Sequence, residues 1–366
     1  MNRYFLYLIV LNMLANVIAF VPRILLDKRF DGAVMSLLAA LPISLVLMGL
    51  MIRSMQAFPQ RGLPEILQDY LSPWLVHIFM GFFGIMWYAA GAVTLYYFAD
   101  VSVRFINPEM STVQTMFLYC TVLVFLIQLQ SRKVLYLLEI LIILQVPFIL
   151  FIMVKASFNQ YVLWDSMLEA ATYIFHPPHI VALSAATYMF TGYLNIVVFN
   201  RVFEKPASMR LLWIVGPVGM LNLLTTYFIP IGMHGMDSVG ELVYKWFTTA
   251  DAIRLQYGFV ERLIFVFLLL YLTISLLSTL VHWHVSLQMF KSWFFVDSNK
   301  SKKSKKLSWY FAAVFGAGGI ALAYWMNEQT MLTVSIWFLV LRLASEMTIV
   351  FFLYYLSVRE RRKAAA

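Results

Sequence analysis

Phe190-Thr191-Gly192-Tyr193-Leu194-Asn195 stands in the middle of an apolar segment, 179–200, that is long enough to cross a bilayer. Glycine costs about 1 kcal/mol relative to alanine inside a helix, and neighbouring hydroxyl and amide side chains can satisfy backbone groups released by unwinding. The stretch therefore predicts a break in this span, with close helix packing at Gly192 as the other reading. Working outward, the first apolar segment carries a second interruption, Ala15-Asn16-Val17-Ile18-Ala19, followed by Pro22. Two readings of Asn16 stand: an unwound site, or an interhelical hydrogen bond worth roughly 0.5–2 kcal/mol. Interrupted spans at corresponding positions of two halves mark a central site of the kind transporters build from discontinuous helices.

The rest of the chain supplies the halves. Of 366 residues, 62% are hydrophobic and 12% charged, against roughly 25% charged in soluble domains. A crossing helix needs about 20 apolar residues. Ten segments qualify: 4–26, 33–56, 74–101, 112–130, 134–155, 179–200, 210–232, 258–288, 307–326 and 332–357. The fold class expected is an all-α polytopic membrane protein of ten transmembrane helices in a 5+5 inverted repeat. Residues 1–366 form one integral membrane domain, with halves at about 1–156 and 179–357 joined by an outer linker, 157–178. That linker and 233–257 mix apolar and acidic residues at helical spacing, which predicts short helices over the outer face. Alternation is too weak for an outer-membrane barrel.

The net charge of +9 sorts by loop. Arg3, Arg53, Arg61, Arg132, Lys133, Arg201, Lys205, Arg210, Lys291, the run from Lys300 to Lys306 and Arg359–Lys363 fall on one side. The other carries chiefly Lys28, Arg29, Arg104, Lys155, Lys245 and Arg254. By the positive-inside rule both termini are expected in the cytoplasm. The 300–306 run reads as a solvated loop that sets topology; binding of a partner or of anionic lipid is the other reading. The single Cys120 excludes an intramolecular disulfide, and the first segment lacks a signal-peptide cleavage pattern, so it reads as an uncleaved helix.

The sequence resembles the spore germination permease family, the B subunits of GerA-type nutrient germinant receptors, within the amino acid–polyamine–organocation superfamily. The likeness rests on chain length, the ten spans, Phe190-Thr191-Gly192-Tyr193, and Asn200-Arg201-Val202-Phe203-Glu204-Lys205-Pro206. Phe259-Val260-Glu261-Arg262-Leu263 and Gln56-Ala57-Phe58-Pro59 add to it. Two positions depart from the family's pattern: Ala15-Asn16-Val17-Ile18 replaces a glycine-containing break, and Leu194 replaces an acidic residue after Gly-Tyr. The resemblance implies a leucine-transporter-like fold, a small germinant such as an amino acid, A-type and C-type partner subunits, and the spore inner membrane.

Half-helix ends at Ala15, Asn16, Val17 and Ile18 and at Thr191, Gly192, Tyr193 and Leu194 then suit the carboxylate and ammonium of a zwitterion. Tyr88 or Tyr97 of the third span is expected as an aromatic gate. Thr273 and Ser275 of the eighth are candidate ligand contacts, their other reading being bonds back to the helix itself. Arg342 and Glu346, four apart in the tenth span, are expected to pair. Two histidines, His282 and His284, make no metal site without further ligands. No cofactor motif or nucleophile–base spacing occurs, so no enzyme is expected. The leading function is a nutrient-sensing germinant-receptor subunit. The alternative is an autonomous amino acid transporter, and a scaffold with a decayed site is the third reading.

Overall fold

The computed structural model describes residues 3–17, 20–254, 262–294 and 302–365. Ile18 and Glu261 fall outside them, as do most of Phe259–Leu263 and the first residues of the 300–306 run.

Helix dominates because an apolar chain in hydrocarbon must satisfy its backbone internally. The first span divides into α1 (Arg3–Asn16) and α2 (Phe20–Asp27), which meet at 60°. Then come α3 (Ala33–Gln56), a short surface helix α4 (Leu63–Tyr70), α5 (Pro73–Phe105), α6 (Thr112–Leu126) and α7 (Ser131–Ser157). The linker forms α8 (Trp164–Thr172). The sixth span is α9 (Ile180–Tyr188), a 3-10 turn at Thr191–Asn195 and α10 (Ile196–Phe199); α9 and the segment Thr191–Val202 meet at 59°. After it run α11 (Leu212–His234), α12 (Lys245–Ala252), α13 (Leu263–Phe294), α14 (Lys302–Trp325) and α15 (Glu328–Ala365). The short helices expected in 157–178 and 233–257 are thus present as α8 and α12.

Among the described residues, seven helices cross a membrane by length and composition, and nine spans result when each bent pair is taken as one. The fourth expected span, 112–130, forms a helix of only 15 residues. At 1.5 Å per residue it rises about 22 Å, less than the roughly 30 Å hydrocarbon core.

With no hydrophobic force between helices in lipid, small residues and polar contacts carry the association. α5 and α13 lie together where the missing side chain of Gly91 admits the Trp283 ring, whose Nε1–H donates to the Tyr88 carbonyl at 3.2 Å. Gly319 of α14 faces Cys120 of α6. The chain begins and ends at one face, where Tyr70 donates to Glu360 and Arg361 donates to the Arg53 carbonyl. We call this the terminal end; α2, α12 and the start of α15 lie at the distal end.

Candidate functional site

The break in the sixth span holds its geometry through α1. Gly192 lies directly on the α1 backbone: a Cβ there would collide with the Leu8 carbonyl oxygen and stand 2.8 Å from Ile9 Cα. Unwinding and close packing, offered as alternatives by the sequence, coincide at this residue. Asn12, 1% exposed, then fastens the two broken spans. Its Nδ2 donates to the Tyr188 carbonyl at 2.6 Å and to Thr191 Oγ1 at 3.1 Å, so the carbonyl freed where α9 stops finds a donor. Asn12→Ala removes one of that carbonyl's two donors, leaving Thr191 Oγ1 at 2.8 Å, and unties α1 from the break, so a loss of about 1–2 kcal/mol is expected. Unfolding midpoints of purified protein in detergent check it; an unchanged midpoint would remove Asn12 from the fastening.

Beside this junction is a small cavity of ≈ 40 Å³, walled by α5, the broken sixth span, α13 and α15. Trp87 donates from Nε1 to Asn195 Oδ1 at 2.8 Å, and Asn195 Nδ2 returns to the Gly192 carbonyl at 3.1 Å. Across the cavity, Arg342 pairs with Glu346 and donates to the Ser184 carbonyl and to Thr187 Oγ1. The guanidinium also lies over the Tyr188 ring at 5.2 Å. Tyr193 donates to Glu346 Oε1 at 2.6 Å, binding α15 to the break. Arg342 Nε and the Tyr188 hydroxyl are buried without partners. A cavity so lined presents a spare cationic donor, a phenol and a carboxylate within one low-dielectric space, the groups a zwitterion requires. Its size admits a few waters; a larger guest needs its walls to part.

Both ends are latched. Distally, Arg23 meets Glu328 at 2.5 Å, Arg104 meets Glu328 and also Asp100, the latter at 2.9 Å, and Tyr244 donates to Asp100 at 2.5 Å. Tyr244 lies outside the spans, and burial, followed by the Asp100 charge, holds its phenol well above the usual range. Neighbouring Lys245 is 2% exposed; burial lowers its ammonium from the ordinary lysine value, while Asp27 at 3.5 Å opposes the change. At the terminal end, Arg201 grips Glu65 through Nη2 at 2.8 Å and Nε at 3.0 Å, and Asn200 donates to the Phe58 and Arg61 carbonyls at 2.8 Å each. Glu328 bridges two arginines from different helices, so Glu328→Gln is expected to loosen the distal latch. A reporter cysteine at cavity-lining Ala90, with Cys120 replaced by alanine, should then react several-fold faster with a thiol probe. Equal rates would mean that Glu328 does not keep the cavity shut.

The expected site residues divide. Thr191 and Leu194 line the cavity, and Gly192 and Tyr193 form the junction behind it. Ala15 and Asn16 are buried in the last turn of α1 away from it, with Asn16 Nδ2 spent on the Asn12 carbonyl at 2.8 Å. Val17 lines a separate apolar space with Trp246 and Phe267. Ile18 is outside the described residues. Tyr88 turns the other way, stacked on Trp283 at 5.6 Å with its hydroxyl on the Phe315 carbonyl at 3.2 Å. Tyr97 stacks on Phe20 at 5.2 Å, and Phe20 lies 5.9 Å from Tyr188, so Tyr97 belongs to an aromatic layer next to the cavity. Thr273 bonds back to Leu269, and Ser275 is buried within the packing of α13. Asn12, Tyr188, Arg342 and Glu346 are the residues that sequence reading did not place in the ligand site; Trp87 is expected only as part of the third-span wall, and Asn195 only as part of the sixth-span break. The Asn12–Asn16 spacing, which puts both amides on one helix face, is the signal that pointed there.

Among the described residues no group of three or more His, Cys, Asp or Glu side chains is arranged to hold a metal ion. His282 turns to its own helix at the Ser278 carbonyl, 2.7 Å, and His284 to Ser131 Oγ, 2.9 Å.

A family model described as spore germination protein matches residues 2–317, ending before the α15 residues Arg342 and Glu346. Comparison with curated proteins returns no match. Among solved structures, a Na+-coupled sialic acid symporter in a substrate-bound outward-open state is similar over 90% of this chain and 75% of its own. The TM-score is 0.55 at 12% identity, which is a likeness of fold: the all-helical, leucine-transporter-like architecture with broken first and sixth spans.

Proposed function

This chain belongs to the spore germination protein family, and from that premise we propose that it is the nutrient-sensing B subunit of a germinant receptor. It is a multi-pass membrane protein of permease or receptor type and not an enzyme. The germinant in this reading is a small zwitterion, an amino acid, held between Arg342 and Glu346. The observation that carries the reading is this buried ion pair set against the sixth-span break. An ionisable pair deep among spans is costly to maintain, and such residues in membranes serve ligand or ion pathways. The ligand carboxylate takes the spare Arg342 donor and its ammonium takes Glu346, with the Trp87, Tyr188 and Asn195 side chains around it.

Such a ligand does not fit a cavity of ≈ 40 Å³, so binding favours a state with the walls and latches parted. A ligand shifts an equilibrium only by its unequal affinity for two states, and the difference between closed and open walls supplies that inequality. The altered bundle then acts on A-type and C-type subunits in the spore inner membrane, with both termini on the core side, and ions are released through the assembly.

Spores carrying Arg342→Met with Glu346→Leu, with the protein accumulating at the wild-type level, should lose the response to the nutrients this receptor serves. An undiminished response would overturn the site. The likeness to a symporter fold favours one competing reading, an autonomous amino acid transporter. Liposomes containing this subunit alone separate the two: no sustained uptake of a radiolabelled amino-acid mixture is expected, and uptake without partner subunits would favour the transporter.

A further inference from the structure

Two elements that wall the ligand cavity, α15 and the sixth span, run on to the terminal end, and both finish on the surface helix α4. α15 reaches it as one rod. Its 38 residues contain neither glycine nor proline, the usual causes of a kink, so it moves as a unit. Glu328 stands at its distal end, in the latch with Arg23 and Arg104. Arg342 and Glu346 lie at the cavity, and Glu360 lies about 21 Å beyond Glu346 at 1.5 Å per residue. There Tyr70, the last residue of α4, donates to Glu360, while Arg359 and Lys363 lie over its ring at 5.7 and 4.9 Å.

The sixth span arrives at the other end of α4. Past the break, α10 leads into a 3-10 turn, Asn200–Val202, whose side chains hold the chain entering α4. Asn200 donates to the Phe58 and Arg61 carbonyls, and Arg201 pairs with Glu65 in the first turn of α4. Gly62, which caps the helix, lies directly on this segment: a Cβ there would stand 2.6 Å from Arg201 Nε and 2.9 Å from the Val197 carbonyl oxygen. Eight residues are too few to hold a helix by themselves. α4 therefore depends for its place on its buried face and on these two arms.

We propose, on the premise that a ligand seats between Arg342 and Glu346, that α4 is the element through which occupancy of the cavity is read at the terminal face. Parting of the walls draws the sixth span and α15 away from each other, and α4, held by both, gives up one hold. The Tyr70 end is the weaker of the two, a single hydrogen bond with two cations over the ring. The Gly62 end has the paired arginine and both Asn200 bonds. α4 thus leaves α15 and stays with the sixth span, and the contact between Tyr70 and Glu360 is the clasp that opens. Coupling of this kind needs a discrete element that both sites bias, and α4 touches both carriers of the site.

Two thiol-probe measurements on the full-length protein in nanodiscs, both with Cys120 replaced by alanine, test this. In the first, Ala90→Cys reports the cavity without ligand. Tyr70→Phe, or Glu360→Gln in its place, should speed its labelling about five-fold or more, because coupling between two sites acts in both directions. Lys305→Gln, which removes an exposed charge of α14, should change nothing. In the second, Leu67→Cys, at a buried position one turn before Tyr70, reports α4. An amino-acid mixture should speed its labelling by a similar factor, and Arg342→Met with Glu346→Leu should remove that response. Elution volume and helical circular dichroism identify variants that fold, and Ile66→Cys substitutes for Leu67→Cys should the latter misfold. Ala90→Cys labelling indifferent to both clasp variants would overturn the proposal. So would Leu67→Cys labelling unmoved by a mixture that the same protein binds saturably. Absence of saturable binding would remove the ligand reading and the readout role with it, and a faster Ala90→Cys rate in the clasp variants would then leave a mechanical coupling of α4 to the cavity.

Discussion

Arg342→Met is expected to destabilise the protein by about 3–5 kcal/mol, while Arg342→Met combined with Glu346→Leu regains most of that loss. The asymmetry follows from where the charges lie. Arg342 is 6% exposed and Glu346 is 1% exposed. Removing the guanidinium strands a carboxylate among α15, α9 and the sixth-span break, with only the Tyr193 hydroxyl to answer it. It also leaves the Ser184 carbonyl and Thr187 without their donor. Removing both charges replaces the pair by apolar volume, which in buried pairs is often neutral or stabilising. Reversible unfolding in mixed micelles measures all three proteins. A pair retained for fold alone would leave the double variant functional. A pair retained for ligand chemistry leaves it stable and unresponsive, and that is the expected outcome. Equal destabilisation by the single and double variants would show that the charges do not offset one another.

Gly192→Ala is expected to carry the second largest effect, about 1–3 kcal/mol from overpacking, with a loss of response beyond what stability explains. The added methyl meets backbone atoms, the Leu8 carbonyl and Ile9 Cα, rather than the yielding end of a side chain. α1 must then lift from the 3-10 turn at Thr191–Asn195, which lengthens the Asn12 bonds to Tyr188 and Thr191. Thermal unfolding together with the germination response of spores measures both parts. A variant with wild-type stability and wild-type response would remove the α1 contact from the mechanism.

The fold was largely legible because its determinants are local. Apolar runs of crossing length, polar residues at Asn16 and around Gly192, and helical spacing in the two outer segments all report on their own stretch of chain. Ten spans were expected, and α6 is the exception: the apolar run continues past Leu126, but the chain turns at Ile127–Leu129, which hydropathy does not register.

The site was half legible, for reasons that are also physical. Arg342 and Glu346 pair within one helix, so four-residue spacing sufficed for the pair, although it did not place the pair in the ligand site. The bond from Tyr193 to Glu346 joins residues 153 apart, and no periodicity encodes it. α5 is apolar around its whole circumference, so its pattern does not choose between the cavity side, where Trp87 lies, and the α14 side, where Tyr88 lies. Asn12 went unselected beside Asn16 because a lone amide in a span is equally suited to either position. Only the path of the sixth span decides which of them meets a freed carbonyl.

The most direct measurement is equilibrium binding of a radiolabelled amino-acid mixture to the purified protein in nanodiscs, comparing the wild type with the Arg342→Met, Glu346→Leu double variant at matched stability. Saturable binding by the wild type and its loss in the stable double variant is the expected result. Saturable binding that survives in the double variant, or no binding by the wild type, would contradict the placement of the ligand between Arg342 and Glu346.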